Sequence, residues 1–272
     1  MTPDTLEALG AKHGPVVIAA LHLPDLSVRR ELSMGFLEDY ALRNAAVFAE
    51  AGVPALMLQD QTRQVGPASP ATVAVTAALG RLIRREFPAM ALGIIVQAHD
   101  AVAPLAIAHA AGASFVRLKV FVGAAMTAEG PRNGLAVEAR SYRHELRRDD
   151  VAILADVFDR TSRPLLDVPP AEAVLMAEKL GADGLILTGG SFADSLDRVR
   201  AARAAGARRP VLIGGSVTEA NLAEALAVAE GAVVSTSLMR PGASPEDVLQ
   251  WDADRTRRFM DAVRALPPRR AA

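Results

Sequence analysis

Arg117 and Lys119, two cations one residue apart, stand in an aliphatic run, SFVRLKV, of the kind that forms a short β-strand. Residues i and i+2 of a strand share a face. Arg117 and Lys119 are therefore expected to project to one side, together with Phe115, while Val116, Leu118 and Val120 take the other. Asp156 closes the next such run, His22 follows the first, and Gln59 and Gln97 follow the second and third. A lysine in a partly desolvated pocket can lose its proton and form a Schiff base with a carbonyl substrate. Held by a carboxylate, it acts as a fixed cation or an anion anchor instead, and pairing with Asp156 is the expected role here. Asp156 is either a general acid/base or the partner of Arg117 and Lys119. With His22, these groups would move protons or stabilise charge at a reacting carbon.

Three later segments offer small residues and exposed backbone N–H groups: Thr188-Gly189-Gly190, Gly214-Gly215-Ser216 followed by Val217-Thr218, and Ser235-Thr236-Ser237. Such N–H groups cradle anions, above all before a helix. These residues are expected to hold a phosphate, with Gln59 and Gln97 completing the substrate contacts. Short turns between strands and helices favour Gly and Ser for their own reasons, so the expectation rests on three such loops occurring together. His22, His99, Asp60, Asp100 and Asp156 have the right chemistry for a divalent cation. No His-x-x-x-His spacing accompanies them, and no cofactor is expected to be required. His109 and His144 fall inside helical patterns, and His13 precedes the first strand.

The segments that must position these residues alternate regularly. Strands are expected at 16–21, 55–58, 91–96, 114–120, 151–156, 184–188, 210–214 and 232–236. Helical patterns lie between and after them, at 37–51, 70–86, 101–111, 135–147, 169–180, 195–205, 219–227 and 253–265. Gly52, Gly112, Gly181 and Gly206 fall just past helices, where a left-handed cap is wanted, and Pro70, Pro104 and Pro169 fall near helix starts. Eight strands alternating with eight helices predict a (β/α)8 barrel with a closed parallel sheet rather than an open doubly wound sheet. Residues 1–272 then form one domain, with 1–14 covering the barrel bottom, 123–134 as the longest loop and 266–272 as a frayed tail. A barrel carries its chemistry at the C-terminal ends of its strands, where all the residues above converge.

Composition narrows the function classes. The chain has 272 residues, 51% of them hydrophobic, and a formal net charge of −1. Near-neutrality excludes sequence-independent nucleic-acid binding, and the absence of cysteine removes thiolate chemistry and thiolate-bound metals. No apolar run approaches the roughly 20 residues of a membrane span, and the acidic N-terminus is unlike a signal peptide. A cytoplasmic, homo-oligomeric protein is expected.

Several stretches together are similar to the BtpA/SgcQ family over nearly the whole chain. They are ALHLPDL at 20–26, AGVPALML at 51–58, AIAHAAGASFVRLKV at 106–120, ILADVF at 153–158, LGADGLILTGG at 180–190, PVLIGGSVTEANL at 210–222 and STSLM at 235–239. The resemblance implies a ribulose-phosphate-binding type of TIM barrel, in a family linked to photosystem I biogenesis or found beside sugar-phosphotransferase genes. It also implies that the loops at 188–190, 214–218 and 235–237 bind phosphate. The chain departs from the family where Glu-Asn is replaced by Gln59-Asp60, Arg-Val-Asn by Arg117-Leu118-Lys119, and a histidine by Phe158. Gly-Ser-Gly becomes Gly214-Gly215-Ser216, and Leu-Lys becomes Leu238-Met239. The pocket is therefore expected to have its own chemistry.

The first expectation is an enzyme for a small phosphorylated sugar or nucleotide-like molecule, acting as a lyase, as an isomerase or by glycosidic cleavage. The others are a non-catalytic assembly factor that retains a phosphate pocket, and a metal-dependent hydrolase.

Overall fold

Aliphatic runs bury best as parallel strands when the connecting helices cover the face of the sheet, and that is how this chain folds. The computed structural model describes residues 8–10, 14–158, 161–165 and 168–267. The first strands are β1 (Val16–His22), β2 (Ala55–Gln59), β3 (Ala91–Ile95) and β4 (Phe115–Leu118). A short hairpin follows, β5 (Ala124–Thr127) and β6 (Gly130–Asn133), and then β7 (Ala152–Phe158) and the two-residue β8 (Arg163–Pro164). The last strands are β9 (Gly184–Leu187), β10 (Val211–Gly214) and β11 (Gly231–Val234). Strands β1, β2, β3, β4, β7, β9, β10 and β11 close into a barrel, with β1 pairing in parallel to both β2 and β11.

The helices are α1 (Met34–Glu50), α2 (Pro70–Glu86), α3 (Ala103–Ala111), α4 (Ala136–Glu145), α5 (Pro170–Lys179), α6 (Phe192–Ala204), α7 (Leu222–Val228) and α8 (Ala253–Arg264). Ser33, Ser69, Ser191 and Asp252 each cap a helix by accepting a backbone N–H two or three residues into it. Ser33 and Ser191 explain why α1 and α6 begin three residues before the apolar periodicity suggests. The four glycines placed past helices all have positive φ.

Alternation along the strands separates two apolar layers. Ile18, Met57, Ile95, Phe115, Leu154, Ile186, Leu212 and Val233 fill the barrel. Val116, Leu118, Leu56, Ile153 and their equivalents pack against the helices. Leu9, only 5% exposed, joins the barrel-filling group. His13, most of the 1–14 segment and 268–272 of the tail lie outside the described residues. Gly93 makes room for the ring of Phe115, because a Cβ there would fall 2.0 Å from Phe115 Cε2.

Three expectations change. The loop 123–134 is not irregular: β5 and β6 pair antiparallel, and β8 adds to the other edge of β5. Thr127 stabilises the turn by donating to Gly130 O while accepting from Glu129 N. The fourth barrel strand stops at Leu118, because Val120 adopts φ 48 and leaves the sheet. The helix after β10 starts at Leu222 rather than 219, so Gly215, Ser216 and Val217 are a loop and not a helix N-terminus.

Candidate functional site

Arg117 comes off the inner face of β4 directly above Phe115, and Asp156 comes off the adjacent β7. Arg117 donates from Nε to Asp156 Oδ2 at 3.0 Å and from Nη2 to Oδ1 at 2.9 Å. The planar guanidinium matches the two carboxylate oxygens, the strong form of this pairing. Asp156 is fully buried and the Arg117 side chain 13% exposed. The ladder between β7 and β9 slips by one residue immediately after Asp156, and bulges of this kind re-aim side chains beside active sites. With both oxygens engaged by Arg117, Asp156 takes the partner role and not that of a free general base.

Lys119 lies one residue past the end of β4. Its Nζ donates to Gln97 Oε1 at 2.7 Å. Gln97 is itself anchored: its N–H donates to Asp60 Oδ2 and its carbonyl accepts from Arg132 Nη1. Asp60 is 2% exposed, and burial pushes its carboxyl above the usual range. Gln97 thus stands behind Lys119 as a support, and it does not line the mouth of the barrel as expected of a substrate contact.

His22 ends β1 in register with Gln59. Its ring meets the edge of Trp251 at a centroid distance of 6.2 Å, and Tyr40 Oη donates to its carbonyl. Burial, and secondarily the charge of Arg117, lower its pKa to about 4. His22 is therefore a neutral imidazole near pH 7, able to donate at one nitrogen and accept at the other.

His22, Arg117 and Lys119 share one cavity of about 210 Å³ at the C-terminal end of the barrel. Its walls include His22, Gln59, Arg117 and Lys119 on one side. Thr188, Gly214, Gly215, Ser216, Ser235, Thr236 and Ser237 form the other, with Val217 and Thr161, which sequence reasoning did not single out. Thr161 follows β7 in a polar loop that carries no motif, so only the fold could place it.

The three small-residue loops divide. After β9, Gly189 N–H donates to Ser195 Oγ and Gly190 N–H to Asp194 Oδ2. These two donors serve the first turn of α6, and neither glycine lines the cavity, contrary to expectation. A Cβ on Gly189 would stand 2.5 Å from Ser195 N, so tight packing on α6 accounts for that glycine. Thr188 does face the cavity, its Oγ1 donating to Gly214 O at 2.9 Å.

After β10, Gly215 and Ser216 both have positive φ, and Gly215 N–H continues the ladder to Val233 O. The N–H groups of Ser216 and Val217 carry no hydrogen bond among the described residues. After β11, Ser235 Oγ donates to Ala20 O, and Ser237 Oγ is buried without a partner. Bare N–H groups and an orphaned hydroxyl on one side of the cavity are donors that an anion could accept.

Among the described residues no three His, Asp or Glu side chains come together as a metal site. His99 is turned away from the cavity, with Nε2 on Asn133 O at 2.7 Å. No helix among the described residues is long and apolar enough to cross a membrane.

With this geometry in hand, the comparisons with known proteins are specific about ancestry. The BtpA family profile matches residues 13–265. The chain is 33% identical over 258 residues to the photosystem I biogenesis protein BtpA of Synechocystis, covering 92% of this chain and 88% of that one. A chain of ligand-free tryptophan synthase from M. tuberculosis superposes with a TM-score of 0.61 at 15% identity, covering 95% and 97%. N-(5'-phosphoribosyl)anthranilate isomerase from Pyrococcus furiosus superposes with a TM-score of 0.56 at 14% identity, covering 92% and 99%. At these identities the solved structures establish the TIM-barrel fold.

Proposed function

The chain belongs to the BtpA family, and on that premise we propose that its barrel mouth binds a small phosphorylated sugar or nucleotide-like molecule and acts on it as a lyase or isomerase. The observation that carries the proposal is the two-sided cavity. One wall holds Lys119, the Arg117–Asp156 pair and a neutral His22. The facing wall presents the loops after β10 and β11, where barrels commonly hold phosphate.

In this reading Ser216 and Val217 N–H, with Ser235, Thr236 and Ser237, hold the phosphate. Thr188 and Gln59 contact the sugar. Lys119 stabilises negative charge developing on a carbonyl oxygen, and His22, neutral at working pH, accepts or returns a proton at the adjacent carbon. Arg117 and Asp156 keep that wall rigid. The isomerase among the structural neighbours is named for a phosphoribosyl compound, a class consistent with this ligand.

The test is a thermal-shift panel of inorganic phosphate, ribose 5-phosphate, fructose 6-phosphate and the unphosphorylated sugars, on wild type and Ser216→Asp. Ser216 is exposed and Asp tolerates its left-handed backbone, so the variant should fold while placing a like charge at the phosphate. A ligand at a hundredfold its Kd stabilises by about 2.7 kcal/mol. Stabilisation by phosphorylated compounds only, lost in Ser216→Asp, is expected. Equal shifts in the variant, or none in wild type, would remove the proposal.

A second reading has its own observation, the Synechocystis relative named for photosystem I biogenesis. A non-catalytic assembly factor would keep the ligand pocket but not depend on chemistry at Lys119. Under that reading Lys119→Met would leave the cellular phenotype of the gene intact. Under the enzymatic reading it would reproduce the deletion.

A further inference from the structure

Helix α1 presents one stripe of buried side chains to the last loop of the barrel: Tyr40, Asn44 and Phe48, spaced four residues apart. Asn44, fully buried, uses its whole side chain on this contact. Its Nδ2 donates to Tyr40 O and to Val248 O, both at 2.7 Å. Its Oδ1 accepts from Gln250 N–H at 2.8 Å and from Trp251 N–H at 3.2 Å. Two donors and two lone pairs are all that an amide side chain has.

Trp251 fills the space between this stripe and His22. Its indole meets the rings of Phe48, His22 and Tyr40 at centroid distances of 5.5, 6.2 and 6.5 Å, each time edge-on. The indole N–H is buried and has no hydrogen-bond partner among the described residues. Packing and the main chain therefore place the ring, and the main-chain N–H is the one that Asn44 holds. Tyr40 Oη donates in turn to His22 O. On its other side His22 faces the cavity, where the charged groups among the described residues are Arg117 and Lys119.

We infer that Asn44 is a positioning residue for His22: by tying residues 248–251 to α1, it seats Trp251 against the imidazole and keeps water from that side of the ring. The inference rests on the reading of His22 as the group that moves a proton, and adds how the fold holds that group neutral and oriented. Asn44 does not line the cavity and acts only through its neighbours. An apolar side chain in its place would leave Val248 O and the N–H groups of Gln250 and Trp251 unpaired in the core. Buried unpaired groups are costly, so the loop would move to find water and the indole would leave His22.

The test follows His22 by NMR titration of the full chain between about pH 5 and 8, where an ordinary histidine changes charge. His22→Gln identifies its resonances, and the exposed His109 and His144 serve as internal references. In wild type His22 is expected to stay uncharged throughout. In Asn44→Leu, similar in size but making none of the four bonds, it should titrate inside the window. That is a gain of at least about tenfold in proton affinity over a pKa of about 4. Emission from Trp251, the chain's only tryptophan, should move to the red in the same variant.

Arg143→Met, which frees Val151 O and Asp183 at the opposite end of the barrel, controls for general loosening and should change neither signal. If Asn44→Leu does not fold, Trp251→Phe decides, since it removes indole area from His22 directly and should bring the same titration. A His22 that stays silent in folded Asn44→Leu, or in Trp251→Phe, overturns the inference. So does one that moves equally in Arg143→Met, or that already titrates in wild type. None of these readouts uses a ligand. Lack of any thermal shift with inorganic phosphate would remove the phosphate reading and leave the seating of His22 standing, and the reverse also holds.

Discussion

Arg117 grips Asp156 through two parallel hydrogen bonds of 2.9 and 3.0 Å in the floor of the barrel mouth. The carboxylate is fully buried and the guanidinium nearly so, and this pair joins β4 to β7 on the inner face. Its energetics are asymmetric, since removing one member strands a buried charge while removing both does not.

Arg117→Met is therefore expected to destabilise the protein by about 3–5 kcal/mol. Adding Asp156→Leu should restore much of that loss. Urea denaturation of the two single variants and the double variant checks this. A double variant no more stable than the worse single one would show that the pair matters through its surroundings and not through charge.

His22 carries a pH dependence of defined sign. Its pKa is near 4 in the folded protein and 6.5 in the unfolded chain. Between those values the unfolded state binds the extra proton, so this residue lowers stability as pH falls from about 6.5 to 4 and contributes no change above 6.5. The full effect is about 3 kcal/mol. His22→Gln should remove that component. Stability–pH curves of wild type and variant that run parallel through this window would contradict the assignment.

Gly93 and Phe115 share space inside the barrel. A methyl at Gly93 would fall 2.0 Å from the Phe115 ring, and crowding a packed core costs about 1–3 kcal/mol or more. Gly93→Ala should lower Tm clearly, and Phe115→Leu in the same chain should recover part of the loss. Additive losses in the double variant would mean that the two positions do not compete for volume.

The barrel was legible because its signals are local. Apolar runs with period two, helical stretches between them, prolines at helix starts and glycines past helices are all written within a few residues of where they act. The same periodicity put Arg117 on the inner face above Phe115, and the end of each run placed His22, Gln59 and Asp156 at the mouth. The small-residue loops were less informative. Gly189 and Gly190 look in sequence like Gly214 and Gly215, yet their N–H groups are consumed by Ser195 and Asp194 of α6. Whether an N–H faces a cavity depends on where the next helix turns, and composition does not record that.

What the sequence alone determined is the closed eight-stranded barrel, the end of it at which the cavity opens, and the residue types gathered there. Tertiary structure decided the partnerships. Lys119, one residue past the end of β4, reaches Gln97 beyond β3, and Asp156 meets Arg117 because the register of β4 and β7 sets the two at reach. Arg63 and Arg132, 69 positions apart in the chain, met over Glu129 only because a short hairpin folded across the mouth. Periodicity is a property of neighbours along the chain, whereas pairing of charges depends on distances that close only when the barrel does.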